Sequence, residues 1–333
     1  MTKAERIAAA IRGDAVDRVP YSLWSYLPMI DLDPAANAEH TYDFYKTYDV
    51  DILKTMNNGM YSVEDLGVTV DYSDIERGGV AKIISTPVHT PEDWLKVKPV
   101  SLHEGALARE QDYLKRLLKK TNGEVPVIFT VFSPLTTANN LCPHMMEHIA
   151  SGHGEQVKAA LTAITETTCA LVQRVIELGA DGIFFATQLA SYDLVKEDLY
   201  KEYGMPYDIA VLSASQGWCN VLHAHGKHIM FSLLRKYPVQ IFNWHAFESL
   251  PGIHEAQVMT GKCIMAGLER MDITDGHKNE IEHQIYETLR ETGGRHVILS
   301  PGCVIRYPLD PDMLSFVRKA KEEIETKLLG TSD

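Results

Sequence analysis

The sequence predicts an α/β chain folded as a (β/α)8, or TIM, barrel with insertions after strands one and two. Three observations lead there. Eight short runs are nearly continuous in apolar residues, the pattern of parallel strands covered on both faces. Stretches with apolar residues near helical spacing separate them. A length of 333 residues, long for an ordinary domain, suits one large barrel.

The elements follow in order. MTKAERIAAAIRGD interleaves Lys3, Glu5 and Arg6 with apolar residues, so it reads as an amphipathic helix and lacks the unbroken apolar stretch of a signal peptide. Arg18–Trp24 (RVPYSLW) is the first run, and Leu27–Thr47 is an excursion after it. Asp49–Thr55 is the second run. The insertion Met56–Val125 then carries VTVDYSDIERGGVAKIIS, a hairpin expected to turn at Gly78 and Gly79. Pro126–Phe132 (PVIFTVF) is the third run. A helix over Glu155–Leu178 ends at Gly179, where a C-cap wants glycine, and Asp181–Thr187 (DGIFFAT) follows. A helix over Asp208–Gly217 precedes Cys219–His223. A helix over Lys227–Arg235 joins that run to Val239–Trp244. Cys263–Leu268 is the seventh run, a helix over Glu280–Glu291 leads to the eighth, His296–Ser300, and a helix over Pro311–Leu329 closes the chain. Without a repeat, low-complexity tract or Pro/Ser linker, residues 1–333 read as one domain.

Composition narrows the function. Lys and Arg number 32 against 45 Asp and Glu, a net charge of −13. Such an acidic chain, with no basic stripe, is a poor partner for nucleic acid or an anionic membrane. No apolar run reaches the roughly 18–20 residues that a membrane helix needs. Cys142, Cys169, Cys219, Cys263 and Cys303 are odd in number and scattered, which suits free thiols in a reducing cytoplasm better than a disulfide framework.

Barrel chemistry sits at the C-terminal ends of the strands. That rule selects Trp24 and Tyr26, Lys54 and Asn57, Phe132 and Ser133, Thr187 and Gln188, His223 and His225, Trp244 and His245, Glu269 and Arg270, and Cys303. In VLHAHGKH, His223 and His225 stand two apart on a strand end, so both imidazoles leave on one face and can converge on one ion. Cys303, after Pro301-Gly302, can complete a His2Cys zinc site with one open position, the mark of catalytic zinc. The alternative is a pair of hydrogen-bonding pocket histidines and a plain buried thiol. His245 reads as a pocket residue or a solvated loop histidine. Glu269 reads as a fourth ligand, a general base or a surface carboxylate. Trp24, Tyr26 and Phe132 are either stacking groups for a substrate or loop packing. His228, and Cys142 with His144, are expected at helix starts.

These residues resemble a family. AERIAAAIRGDAVDRVPYSLW, YDVDILKTMNNGMYSVEDLGV, ELGADGIFFAT, VLHAHGKH and LSPGCVI are similar, in this order, to segments of the uroporphyrinogen decarboxylase superfamily. The resemblance covers essentially the whole chain and implies a (β/α)8 barrel, often a homodimer. True decarboxylases of the family carry an arginine-containing RQAGR segment after strand one that binds propionates; here the stretch reads WSYLPMIDLDP. The other large branch, zinc-dependent methyltransferases working with corrinoid proteins and thiols, has an H-x-C pattern followed some 75–80 residues later by Cys. His223, His225 and Cys303 occupy those positions, with His225 replacing the middle cysteine. A neutral imidazole in place of a thiolate leaves the ion more positive and a stronger Lewis acid.

The resemblance therefore implies methyl transfer between a small methylated substrate or thiol and a corrinoid protein. One zinc per chain would sit on His223, His225 and Cys303. His245 and Glu269 are the expected catalytic residues, and Trp24, Tyr26, Asn57, Phe132 and Gln188 the expected substrate contacts. The alternatives are a decarboxylase like the family's namesake and a non-catalytic barrel that binds a tetrapyrrole or corrinoid.

Overall fold

The computed structural model describes residues 1–74 and 81–330. Among the described residues nine strands form: β1 (Leu53–Lys54), β2 (Thr69–Asp71), β3 (Lys82–Ser85), β4 (Val127–Phe132), β5 (Gly182–Thr187), β6 (Val221–Ala224), β7 (Ile241–Trp244), β8 (Cys263–Leu268) and β9 (Val297–Pro301). Seven of them make a curled parallel sheet in the order β1-β4-β5-β6-β7-β8-β9. Every residue of those seven strands is buried, which is why their sequences are apolar runs rather than alternating ones. β2 and β3 pair antiparallel as the expected hairpin, whose Gly78-Gly79 turn lies outside the described residues.

The first apolar run departs from expectation. Arg18–Trp24 forms no regular strand and touches the sheet through an isolated parallel bridge between Tyr21 and Leu299. Ser22 N–H donates to Leu299 O and Leu299 N–H to Pro20 O, both at 2.9 Å, while Asp51 N–H donates to Tyr21 O at 2.9 Å. The segment thus bridges β9 and the approach to β1, but its ladder stops. Pro20 has no N–H to give, and the Tyr21 N–H is taken by the Asp51 carboxylate at 3.1 Å. Asp51, fully buried, also accepts from Arg6 Nη1 and Arg18 Nη2, each at 2.8 Å.

The helices are where periodicity put them, with one exception. Observed spans are Lys3–Arg12, Gly154–Glu177, Met205–Ala214, Lys278–Thr292 and Pro311–Leu329. Thr2 and Glu5 form a capping box on the first, and the Asp310 carboxylate caps the last. The exception is Lys227–Arg235, of which only Phe231–Leu234 is helical. Gly226 (φ +91°) and His228 (φ +45°) turn the chain left-handed there, and Ile229 bridges antiparallel to Ser191. His228 is therefore an exposed loop residue paired with Asp193, not a helix start. One apolar core runs from Ile7 to Ala320. No helix among the described residues is long and apolar enough to cross a membrane.

Candidate metal centre and pocket

Neighbouring strand ends build one cluster. His223 lies in β6, and its ring stacks on Phe184 of β5 at 5.3 Å between centroids. His225 follows β6 directly, its N–H donating to Thr187 O at 3.0 Å. The β6–β7 register pairs His223 with Asn243 and Ala224 with Trp244, so the next step sets His245 beside His225. Cys303 follows β9. Gly302 allows it to approach, because a Cβ there would lie 2.8 Å from His245 Cα and Trp244 O. One donor atom from each of His223, His225, His245 and Cys303 lies within 4.8 Å of all the others.

The donor atoms are free to serve an ion. Asn243 Nδ2 donates to Met265 O at 2.6 Å and Pro301 O at 3.2 Å. That fixes its amide, turns Oδ1 toward His223 Nδ1 at 2.5 Å, and leaves His223 Nε2 with a lone pair. His245 Nδ1 donates to Glu248 Oε1 at 2.8 Å, which leaves its Nε2 free in the same way. His245 Nε2 lies 3.3 Å from His225 Nδ1, and Cys303 Sγ lies 3.6 Å from the same nitrogen. Tetrahedral bonds of about 2.0–2.3 Å give N···N edges of about 3.4 Å and N···S edges of about 3.6 Å. The cluster is thus a set of three imidazoles and a thiol that could hold a metal. Burial opposes ionisation of Cys303, but its interactions with the neighbouring His223, His225 and His245 outweigh it and pull the thiol well below its usual range. Burial pushes His223 down. It also opposes charge on His245, yet Cys303 and Glu248 prevail and raise that histidine.

The cluster ends a cavity of about 300 Å³. Trp24, Tyr26, Phe132 and Gln188 line it, with His223, His225 and Cys303. Asn57 does not. It is buried, its Nδ2 donates to Glu110 Oε2 at 2.8 Å and its Oδ1 accepts from Thr55, while Asn58 takes the place at the wall. Glu269 is also outside the cavity wall. Its carboxylate caps the helix Arg270–Asp275, accepting from Met271 N–H and from Asp272 N–H at 3.1 Å. Burial and the neighbouring Glu248 raise Glu269.

Lys54, which the strand-end rule selects without giving it a role, lines the same cavity. It is 5% exposed, and its Nζ donates to Thr55 O at 3.2 Å. Burial lowers its pKa from the usual 10.5 to about 8. The folded protein therefore binds fewer protons here than the unfolded chain between those values. The cost to stability is full below pH 8 and fades toward pH 10.5, and it is on the order of 3 kcal/mol. Lys54→Met is expected to raise stability at pH 7 by about 1–3 kcal/mol in urea denaturation. The gain should shrink above pH 8. A loss of stability at pH 7 would contradict this account.

Comparison with known proteins places the chain. A family model described as uroporphyrinogen decarboxylase (URO-D) matches residues 2–324. Methylcobamide:CoM methyltransferase MtbA of Methanosarcina acetivorans is 24% identical over 225 residues, which cover 64% of this chain and 66%, just under two thirds, of that relative. Methylated-thiol–coenzyme M methyltransferase of Methanosarcina mazei is 24% identical over 348 aligned positions, covering 97% of this chain and 90% of the relative. The solved structure of a methyltransferase from Methanosarcina mazei superposes with a TM-score of 0.83 at 18% identity, covering 97% of this chain and 99% of that one, and so shares its fold. Since the family match runs nearly end to end, the chain belongs to the uroporphyrinogen decarboxylase (URO-D) family.

Proposed function

We propose that this chain is a zinc-dependent methyltransferase that moves a methyl group between a small methylated substrate or thiol and a corrinoid protein. It works as one domain, a (β/α)8 barrel whose eighth stave is the bridging segment Pro20–Ser22, with insertions after strands one and two. We place it in the cytoplasm as a homodimer. The observation that carries the reading is the four-donor cluster at the end of an aromatic pocket. Relatives named as methylcobamide and methylated-thiol methyltransferases support it.

The residues fit zinc. A compact set of three imidazoles and one thiolate, all within 4.8 Å of one another and with two separations at tetrahedral edge length, suits zinc. His223 Nε2, His225 Nδ1 and Cys303 Sγ would hold the ion, with His245 Nε2 as a fourth donor that a substrate thiol or ether oxygen would displace, which moves His245 from a catalytic part to a holding one. Bound there, zinc supplies Lewis acidity, lowering the pKa of a thiol or polarising an ether oxygen. The chain's own work is positional. Asn243 and Glu248 keep His223 and His245 in the tautomers that present Nε2. Trp24, Tyr26, Phe132 and Phe184 wall the substrate from water, with Gln188 beside them. A cradle with one thiolate leaves the ion more positive than a cradle with two, which favours oxygen as well as sulfur leaving groups.

The test is to mix the metal-replete protein with methylcobalamin and a panel of thiols and to follow loss of the methylcobalamin absorbance. Metal-dependent demethylation is expected; none with any thiol would speak against the reading. Uroporphyrinogen is expected not to react, because WSYLPMIDLDP supplies no arginine for its propionates. Efficient formation of coproporphyrinogen would reverse the ranking, with Arg306 at the cavity wall as the substitute cation.

A further inference from the structure

We propose that Lys54 is a covalent site, whose amine condenses with the carbonyl group of a small aldehyde or ketone held in the cavity to form an imine. This chemistry is separate from methyl transfer and does not depend on it.

The side chain is placed for attack. Lys54 ends β1, pairs with Ile128 of β4 and lines the cavity while being 5% exposed. Among the described residues its Nζ makes one hydrogen bond, to Thr55 O at 3.2 Å, and a carbonyl acceptor leaves the nitrogen lone pair unused. Among the described residues no carboxylate lies within ion-pair distance of Nζ. The Phe184 ring centroid is 4.9 Å away and that of Trp24 5.9 Å. These rings replace only part of the hydration an ammonium group needs, so the site favours the neutral amine over the charged one.

Imine formation needs such an amine. The Nζ lone pair adds to the carbonyl carbon, the nitrogen gives up a proton and the oxygen gains one, which yields a neutral carbinolamine. A further proton lets that oxygen leave as water while the nitrogen lone pair closes the C=N bond, and the iminium so formed gives the proton back. No oxidant or reductant enters. With the pKa lowered to about 8, about a quarter of Lys54 is neutral at about pH 7.5, against about one in a thousand of an ordinary lysine. Asp31 lines the same cavity, and burial pushes it up to about 6, so a share of it keeps the proton that the departing water needs. The cavity, about 300 Å³, is the size of a small-ligand site, and Trp24, Phe132 and Phe184 favour an aromatic or short apolar body on the carbonyl. Once formed, the imine draws electrons from the neighbouring carbon, which activates the bonds there.

Reductive trapping tests this on the protein as purified. Benzaldehyde is the probe, and sodium cyanoborohydride at the same pH converts an imine to a stable secondary amine by hydride transfer. Intact mass and peptide mapping count and place the adducts. Lys54 is expected to be labelled more than tenfold faster than any other lysine, at a rate that levels off as benzaldehyde rises, because the aldehyde occupies the cavity before it reacts. The α-amine of the exposed Met1, paired with Asp17, is the internal reference, and its rate should stay proportional to benzaldehyde. Lys54→Met should lose the cavity adduct and keep the one at Met1, with melting curves confirming that the variant is folded. No adduct at Lys54, labelling no faster than that of surface lysines, or a Lys54 rate that stays proportional to benzaldehyde overturns the proposal. So does an adduct count that Lys54→Met leaves unchanged. Methyl transfer is scored separately. An inert protein that is still trapped at Lys54 sinks the methyltransferase reading and leaves the imine site standing.

Discussion

Cys303→Ser is expected to take most of the metal and nearly all methyl transfer with it. The substitution removes the softest donor and the only charge in the cluster. The loss should exceed the roughly 10–100-fold that removal of a merely orienting partner costs. Protons compete for every donor, so metal retention in the wild type should fall as pH falls. His225→Cys, by contrast, should keep zinc, because a thiolate replaces an imidazole as donor, and should weaken the ion as a Lewis acid. If the cluster were only a set of hydrogen-bonded pocket groups, Cys303→Ser would change stability slightly and metal content not at all. Zinc stoichiometry of the three proteins, read beside their activities, separates the two accounts.

The second large effect lies at the closure of the sheet. Asp51→Ala is expected to destabilise the protein by about 3 kcal/mol, the lower end of what a broken buried ion pair costs. It removes the acceptor of Arg6, Arg18 and the Tyr21 N–H together. The loss stays at that lower end because Arg6 keeps two bonds to Asp17 and Arg18 keeps Asp49. Trp24 and Tyr26 ride on the same segment, so ligand affinity should fall with stability. Asp51→Asn still offers an oxygen to Tyr21 and should lose less. Urea denaturation measures both, and a loss under about 1 kcal/mol for Asp51→Ala would show that the segment is held by something else.

Much of this was legible in the chain because strand ends and burial leave simple signatures. The parallel strands announce themselves as apolar runs, and the strand-end rule reaches His223, His225 and Cys303 without coordinates. What stays hidden depends on register and on side-chain partners. His245 joins the cluster because β6 and β7 pair residue for residue, which spacing along one chain does not reveal. Asn57 and Asn58 are chemically alike, and only the turn after β1 decides that Asn58 faces the cavity while Asn57 serves Glu110. Glu269 looks catalytic at a strand end, but the helix that starts at Arg270 claims its carboxylate. RVPYSLW has the composition of a strand, yet Pro20 and the Asp51 carboxylate stop its ladder. Lys227–Arg235 has helical spacing, but its left-handed turn at Gly226 and His228 delays the helix to Phe231.

The central claim is that the His/Cys cluster holds the ion on which methyl transfer depends. Its most direct test is elemental analysis of protein purified without added metal, joined to an activity assay before and after chelation. The account predicts close to one zinc per chain, loss of methyl transfer on chelation and recovery on adding zinc back. Well under one metal per chain, with full activity after chelation, would contradict it.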